Sequence, residues 1–241
     1  MLTGKKLILF DLDGTLIDSV GIWNEVDRIL IRRIASMEIG LADCQMQRDA
    51  LLREFRSAPN PYLEYCAWLG RQYAPGMAAE AILRQRVDTA REFLTTVADY
   101  KKDAEKLLVW LQSRSLTLVI ATTTSRENMN IYRTANRNIR AKAPLDDFFT
   151  RVYTRDDVEK IKPDPEVYHK AMREHAVGPE DCLVFEDSLV GVEAANNAGI
   201  DVVAMYDAYS DADRERIVAQ SAFQFDSYAA VIAALESCRK S

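Results

Sequence analysis

The chain has 241 residues, 48% hydrophobic and 28% charged, with a formal net charge of −6; this composition fits one large core or a core with an insertion and excludes a disordered chain. The acidic balance argues against a nucleic-acid partner, because phosphate backbones are bound by basic surfaces, but it leaves room for a small anionic substrate at a locally positive site. No apolar run approaches the roughly 20 residues that cross a bilayer, and the run of about five after the basic start is too short for a secretory signal, so the expected setting is cytoplasmic with no membrane partner.

Lys6–Phe10 (KLILF) is apolar without alternation, as in a buried strand of a parallel sheet, and stops abruptly at DLDGT. From Asp18 to Tyr100 the pattern changes to helical spacing, with Val20, Trp23, Val26, Ile29, Leu30 and Ile34 as its first example. Pro59, Pro61, Pro75 and Gly76 punctuate this stretch, which predicts about four helices. Its loops around Gly40–Met46 and Arg56–Tyr62 are candidate specificity determinants. A helix follows over Lys102–Ser113, then a strand over Leu116–Ala121 and a helix over Arg126–Asn138 capped by Thr124 or Ser125. A weaker strand near Thr150–Thr154 precedes a helix over Pro165–His175, with Pro165 in its first turn. The strand Cys182–Phe185, the helix Leu189–Ala198 closed by Gly199 at C′, and the strand Asp201–Met205 complete the alternation. Such alternation predicts an α/β fold with a doubly wound parallel sheet. Residues 1–17 and 101–241 would form the core and 18–100 an inserted helical cap, hinged near Asp18–Gly21 and Ala98–Lys102. Cys44, Cys66, Cys182 and Cys238 have no paired spacing and are expected to stay reduced.

Ligands of open parallel sheets sit beyond the carboxyl ends of the strands, and polar residues cluster there. Asp11, Asp13, Gly14 and Thr15 follow the first strand, Thr122, Thr123, Thr124 and Ser125 follow LTLVIA, Glu186, Asp187 and Ser188 follow CLVF, and Lys162 lies in IKPDP. Two close carboxylates repel and want a cation, which Mg²⁺ supplies, with Asp187 adding a further carboxylate. A carboxylate can also attack phosphorus. Asp11 is then the nucleophile, Asp13 the acid and base, and Asp11, Asp13 and Asp187 the metal site. Thr122 and Thr123 would bind phosphate, and Lys162 would hold phosphate and nucleophile together. Glu186 either meets the metal through water or orients Lys162. Each residue also has a plainer reading: solvated turn acids, helix-capping threonines, a loop lysine. His169 and His175 read as surface residues, and no GxSxG marks a serine hydrolase.

FDLDGTLIDS (Phe10–Ser19), VIATTTS, KPDPEVY (Lys162–Tyr168) and VFEDSLVGVEAANNAGI (Val184–Ile200) together resemble the four motifs of the haloacid dehalogenase superfamily. The resemblance implies a Rossmann-like core, a helical cap, Mg²⁺ and the same roles for Asp11, Asp13, Thr122, Lys162 and Asp187. It also implies that the second aspartate meets the metal through its backbone carbonyl. Asp13 disfavours the dehalogenase and phosphonatase branches, which lack that acid. The leading expectation is a phosphatase for a small phosphorylated metabolite of sugar-phosphate type, as a monomer or small homo-oligomer. The alternatives are a hexose-phosphate mutase of β-phosphoglucomutase type and a catalytically silent metal-binding interaction protein. The mutases carry a histidine five residues after the motif-one acid, where this chain has Trp23.

Overall fold

The computed structural model describes residues 1–55, 57–114 and 116–237. The chain divides into two compact units, Met1–Ser19 with Ala98–Ser241, and Val20–Val97. It opens with β1 (Leu7–Phe10) and runs at once into four helices: α1 (Val20–Ala35), α2 (Leu41–Glu54), α3 (Pro61–Tyr73) and α4 (Ala79–Thr96). It then forms α5 (Ala104–Gln112), β2 (Thr117–Ala121), α6 (Arg126–Thr134), α7 (Arg137–Lys142), α8 (Leu145–Phe148) and β3 (Arg151–Tyr153). The remainder is α9 (Glu166–His175), β4 (Cys182–Glu186), α10 (Leu189–Asn197), β5 (Asp201–Met205), α11 (Arg214–Ala219), β6 (Phe223–Phe225) and α12 (Tyr228–Ser237).

In the first unit the described strands form one parallel sheet in the order β3-β2-β1-β4-β5-β6. The chain therefore starts at the centre, builds outward on one side and then outward on the other. That reversal leaves a crevice at the carboxyl ends of β1, β2 and β4. All four residues of β1 are buried, which is why its sequence shows no alternation. Leu7, Leu9, Val119, Ala121 and Val184 pack with Tyr168 and Ala171 of α9 and Val192 and Ala195 of α10. Phe10 stacks on Phe185 at 4.6 Å and meets Phe149 edge-on at 6.0 Å. Helices on the sheet and a parallel β1 core are the doubly wound α/β architecture expected from the alternation.

Local chemistry departs from the sequence reading at several points. The helix expected over Arg126–Asn138 stops at Thr134, because the Asn136 side chain accepts from the Ile139 N–H (2.8 Å) and starts α7 as its N-cap. Pro165 is the N-cap of α9, one position before the first turn. Gly199 follows α10 with φ +75°, the left-handed position that a C′ glycine serves.

The second unit packs α1–α4 around Leu30, Ile31, Cys44, Leu51, Tyr65, Cys66, Leu69 and Ile82. Asp27 lies within this bundle at 0% exposure and binds two buried guanidinium groups, Arg86 through Nε at 2.6 Å and Arg48 through Nη1 at 3.2 Å. Arg86 also stands 4.7 Å over the half-buried ring of Trp23. The candidate specificity loop at Gly40–Met46 is not a loop: Leu41 already begins α2. In the other candidate, Arg56 lies outside the described residues, and Pro61 begins α3 after the Asn60 cap. Cys44, Cys66 and Cys182 are free and buried, and Cys238 lies outside the described residues.

Candidate active site

The sheet ladder delivers the first carboxylate. The Asp11 N–H donates to the Phe185 carbonyl (3.0 Å), extending β1 one residue beyond its last paired strand position. The chain then turns tightly through Gly14, whose N–H donates to the Ile17 carbonyl (2.8 Å). Gly14 has φ +90°, and a Cβ there would lie 2.5 Å from Asp187 Oδ2, so conformation and space both demand glycine. Thr15, next in the turn, donates its hydroxyl to Asp187 Oδ1 (2.6 Å).

Lys162 reaches this point from the segment before α9. Its Nζ donates to Asp11 Oδ1 and to Glu186 Oε1, each at 2.7 Å, and the side chain is almost wholly buried. The other oxygen of Glu186 accepts from the N–H groups of Asp187 and Ser188 (2.9 Å each) and the Ser188 hydroxyl (3.0 Å). A Cβ on Gly191 would fall 1.6 Å from Glu186 Oε1, so this glycine lets α10 close over the carboxylate. Glu186 thus bridges Lys162 and the first turn of α10.

Asp11, Glu186 and Asp187 are all buried, with carboxylate oxygens within 4.8 Å of one another. Burial, set against the nearby Lys162 and reinforced by Glu186, pushes the Asp11 carboxyl up to about 7. Burial, then Glu186 and Asp11, hold Asp187 well above the usual carboxylate range. Lys162 is penalised by burial, but Asp11 and Glu186 outweigh it and keep it an ammonium. Three packed carboxylates against this lysine leave a negative excess. Oxygen donors in such excess fit a hard divalent cation.

Asp13 points into a set of hydroxyls. Its Oδ1 accepts from Ser19 (2.5 Å) and Tyr132 (2.7 Å), and its Oδ2 from Thr124. Ser125, not Thr124, caps α6 by accepting from the Asn128 N–H at 3.2 Å. Thr122 is buried at the end of β2, where its hydroxyl accepts from the Thr124 N–H (3.1 Å), and Thr123 follows half-buried. The structure therefore brings Asp11, Lys162, Glu186 and Asp187 into direct contact and sets Asp13 against the loop after β2. Sequence reasoning gave Thr15 no role beyond its place after the first strand, and missed Tyr132 and Tyr168, whose ring centroid is 5.4 Å from Lys162 Nζ. Tyr168 lies inside the KPDPEVY motif; Tyr132 carries no local signal.

The family model for haloacid dehalogenase-like hydrolases matches residues 5–199. The chain belongs to this family. Among its relatives is "(DL)-glycerol-3-phosphatase 1, mitochondrial" of Arabidopsis thaliana, 28% identical over 85% of this chain and 65% of that protein. The chain thus spans just under two thirds of that relative's length. Another is the "Phosphorylated carbohydrates phosphatase" of Thermotoga maritima, 27% identical over 81% of this chain and 82% of that one. The crystal structure of CbbY from Rhodobacter sphaeroides in complex with phosphate superposes with a TM-score of 0.74 at 22% identity, covering 93% of this chain and 95% of that one. This likeness concerns the fold alone. Like its relatives, this haloacid dehalogenase-like hydrolase is an enzyme of the α/β class, and none of its described helices is long and apolar enough to cross a membrane.

Proposed function

We propose that this hydrolase is a Mg²⁺-dependent phosphatase for a small phosphorylated metabolite of sugar-phosphate type, acting through an aspartyl-phosphate on Asp11 in a cytoplasmic setting. The observation that carries the reading is Asp11 itself, held by Lys162 at 2.7 Å beside Asp187, with a second acid, Asp13, two residues on. Relatives named as phosphatases of glycerol phosphate and of phosphorylated carbohydrates supply the substrate class.

In the first step a carboxylate oxygen of Asp11 bonds to phosphorus as the ester O–P bond breaks, and Asp13 gives its proton to the leaving oxygen. Water then attacks the same phosphorus and yields a proton to Asp13. The Asp11–phosphorus bond breaks, releasing inorganic phosphate and restoring both acids. Thr122 and Thr123 would hold phosphate oxygens with hydroxyl and backbone N–H groups, and Lys162 would bridge phosphate and nucleophile. Asp11, Asp187 and the backbone carbonyl of Asp13 would hold Mg²⁺, which supplies positive charge against the phosphate and the nucleophile. Glu186 keeps the Lys162 ammonium aimed at Asp11.

A mutase must return phosphate to a sugar rather than to water. Its cap histidine has no counterpart in this chain, whose two histidines both lie on α9. The test is a screen of phosphorylated metabolites with and without Mg²⁺. Stoichiometric, Mg²⁺-dependent release of inorganic phosphate is expected; interconversion of hexose phosphates without release would overturn the reading.

A further inference from the structure

Tyr132 lies on α6, 119 residues from Asp13 in sequence, and is fully buried. A buried phenol needs a hydrogen-bond partner, and main-chain carbonyls commonly serve. This one instead donates to the carboxylate two residues beyond Asp11, at 2.7 Å. Ser19 donates to the same oxygen, while among the described residues one donor, Thr124, addresses the other. The two oxygens of Asp13 therefore differ. Each carboxylate oxygen offers about two lone-pair sites, so Oδ1 is saturated by its two hydroxyls and Oδ2 keeps one site open. The Thr124 hydroxyl can rotate from donor to acceptor, and so can accommodate a protonated Oδ2. Tyr132 is buried, so turning its O–H away from Oδ1 would cost a hydrogen bond in the core.

We infer that Tyr132 is a positioning residue which, with Ser19, pins Oδ1 of Asp13 as an acceptor, so that Oδ2 carries the proton delivered to the leaving group. The inference rests on the phosphatase reading, in which Asp13 is the acid. In the step concerned, the Asp11–phosphorus bond forms and the ester O–P bond breaks. The Oδ2 proton passes to the leaving oxygen, and Asp13 is left as a carboxylate to receive the proton of the attacking water.

The test compares leaving groups. Under steady-state conditions kcat/KM covers the steps up to the covalent intermediate, and para-nitrophenolate departs without a proton whereas an alkoxide does not. Tyr132→Phe should lower kcat/KM for glycerol phosphate by about 10- to 100-fold, a share of what general acid catalysis typically contributes. It should lower kcat/KM for para-nitrophenyl phosphate much less, shifting the ratio by about tenfold or more. Ser19→Ala removes the other Oδ1 donor and should shift the ratio in the same direction, which keeps the test intact if Tyr132→Phe fails to fold. A merely structural tyrosine would depress both substrates alike, so equal losses, or none, would overturn the inference. Asp13→Asn separates this from the wider reading: it should show the same bias more strongly. If it shows no bias, the acid role of Asp13 itself falls; if it does and Tyr132→Phe does not, only the positioning role falls.

Discussion

Asp11 sits where a carboxylate is costly, buried against two others. Its carboxyl is pushed up to about 7 from an ordinary 3.8. Between those values the folded state binds more protons than the unfolded chain, so this group's contribution to stability falls as pH rises from about 4 to about 7 and stays lost above. Asn carries no charge to desolvate. Asp11→Asn should therefore melt higher than wild type above pH about 7 without metal, by an amount on the order of a few kcal/mol. The difference should vanish near pH 4; calorimetry across this range decides it, and a variant less stable at every pH would contradict it. The same substitution should lower turnover by many powers of ten, because an amide keeps the shape but not the nucleophilicity. Asp187→Ala should raise the Mg²⁺ concentration needed for half-maximal activity and diminish the rise in Tm that Mg²⁺ gives the wild type by mass action. An unchanged Mg²⁺ titration would remove Asp187 from the metal site.

Among the elements, the junction of β4 and α10 leaves no room for a side chain at Gly191. Gly191 lies one turn into α10 with Glu186 against its Cα, and an added Cβ has nowhere to go. Gly191→Ala should expel Glu186, release Lys162 from one of its two carboxylates, and destabilise by about 1–3 kcal/mol as overpacking does. Activity should fall with it, read as Tm and phosphate release measured together. In the helical unit, Asp27 ties α1 to α2 and α4 through Arg48 and Arg86. Asp27→Ala leaves two buried guanidinium groups without their shared partner, which typically costs about 3–5 kcal/mol. Urea unfolding should show this as a lowered midpoint; a shift of a few tenths of a kcal/mol would mean that solvent reaches the arginines. Cap chemistry explains why α6 is short: Asn136 offers the backbone a competing start ten residues after Arg126 begins the helix.

For the whole molecule, we propose that Val20–Val97 acts as a cap which sets substrate choice while the sheet unit carries the chemistry. Exchanging residues 22–97 for those of a relative should change the preferred metabolite, whereas phosphate release from small aryl phosphates should largely survive. A chimera with the original preference would move specificity into the core loops. The segments expected to hinge, Asp18–Gly21 and Ala98–Lys102, pair with each other at their ends in the first unit. The Asp18 N–H donates to the Asp99 carbonyl and the Lys101 N–H to the Leu16 carbonyl, so these two segments lie zipped together. Lys101 is further held by Asp207 at 2.5 Å.

Sequence alone determined the central strands and the residues that end them. Parallel strands buried on both faces read as apolar runs, and the fold presents the residue after each run at one edge; Asp11, Thr122, Glu186 and Asp187 follow from that rule. Lys162 was legible through the KPDPEVY motif and not through periodicity. β6 was not, because three residues at a sheet edge, none of them buried, leave no pattern to read. Only the tertiary structure decided that Glu186 accepts from Lys162, that Thr124 faces Asp13 while Ser125 caps α6, and that Tyr132 reaches Asp13 at all. Periodicity records whether a side chain is buried; its hydrogen-bond partner depends on which distant segment the topology brings alongside, and neither Tyr132 nor Asp13 carries any local trace of the other.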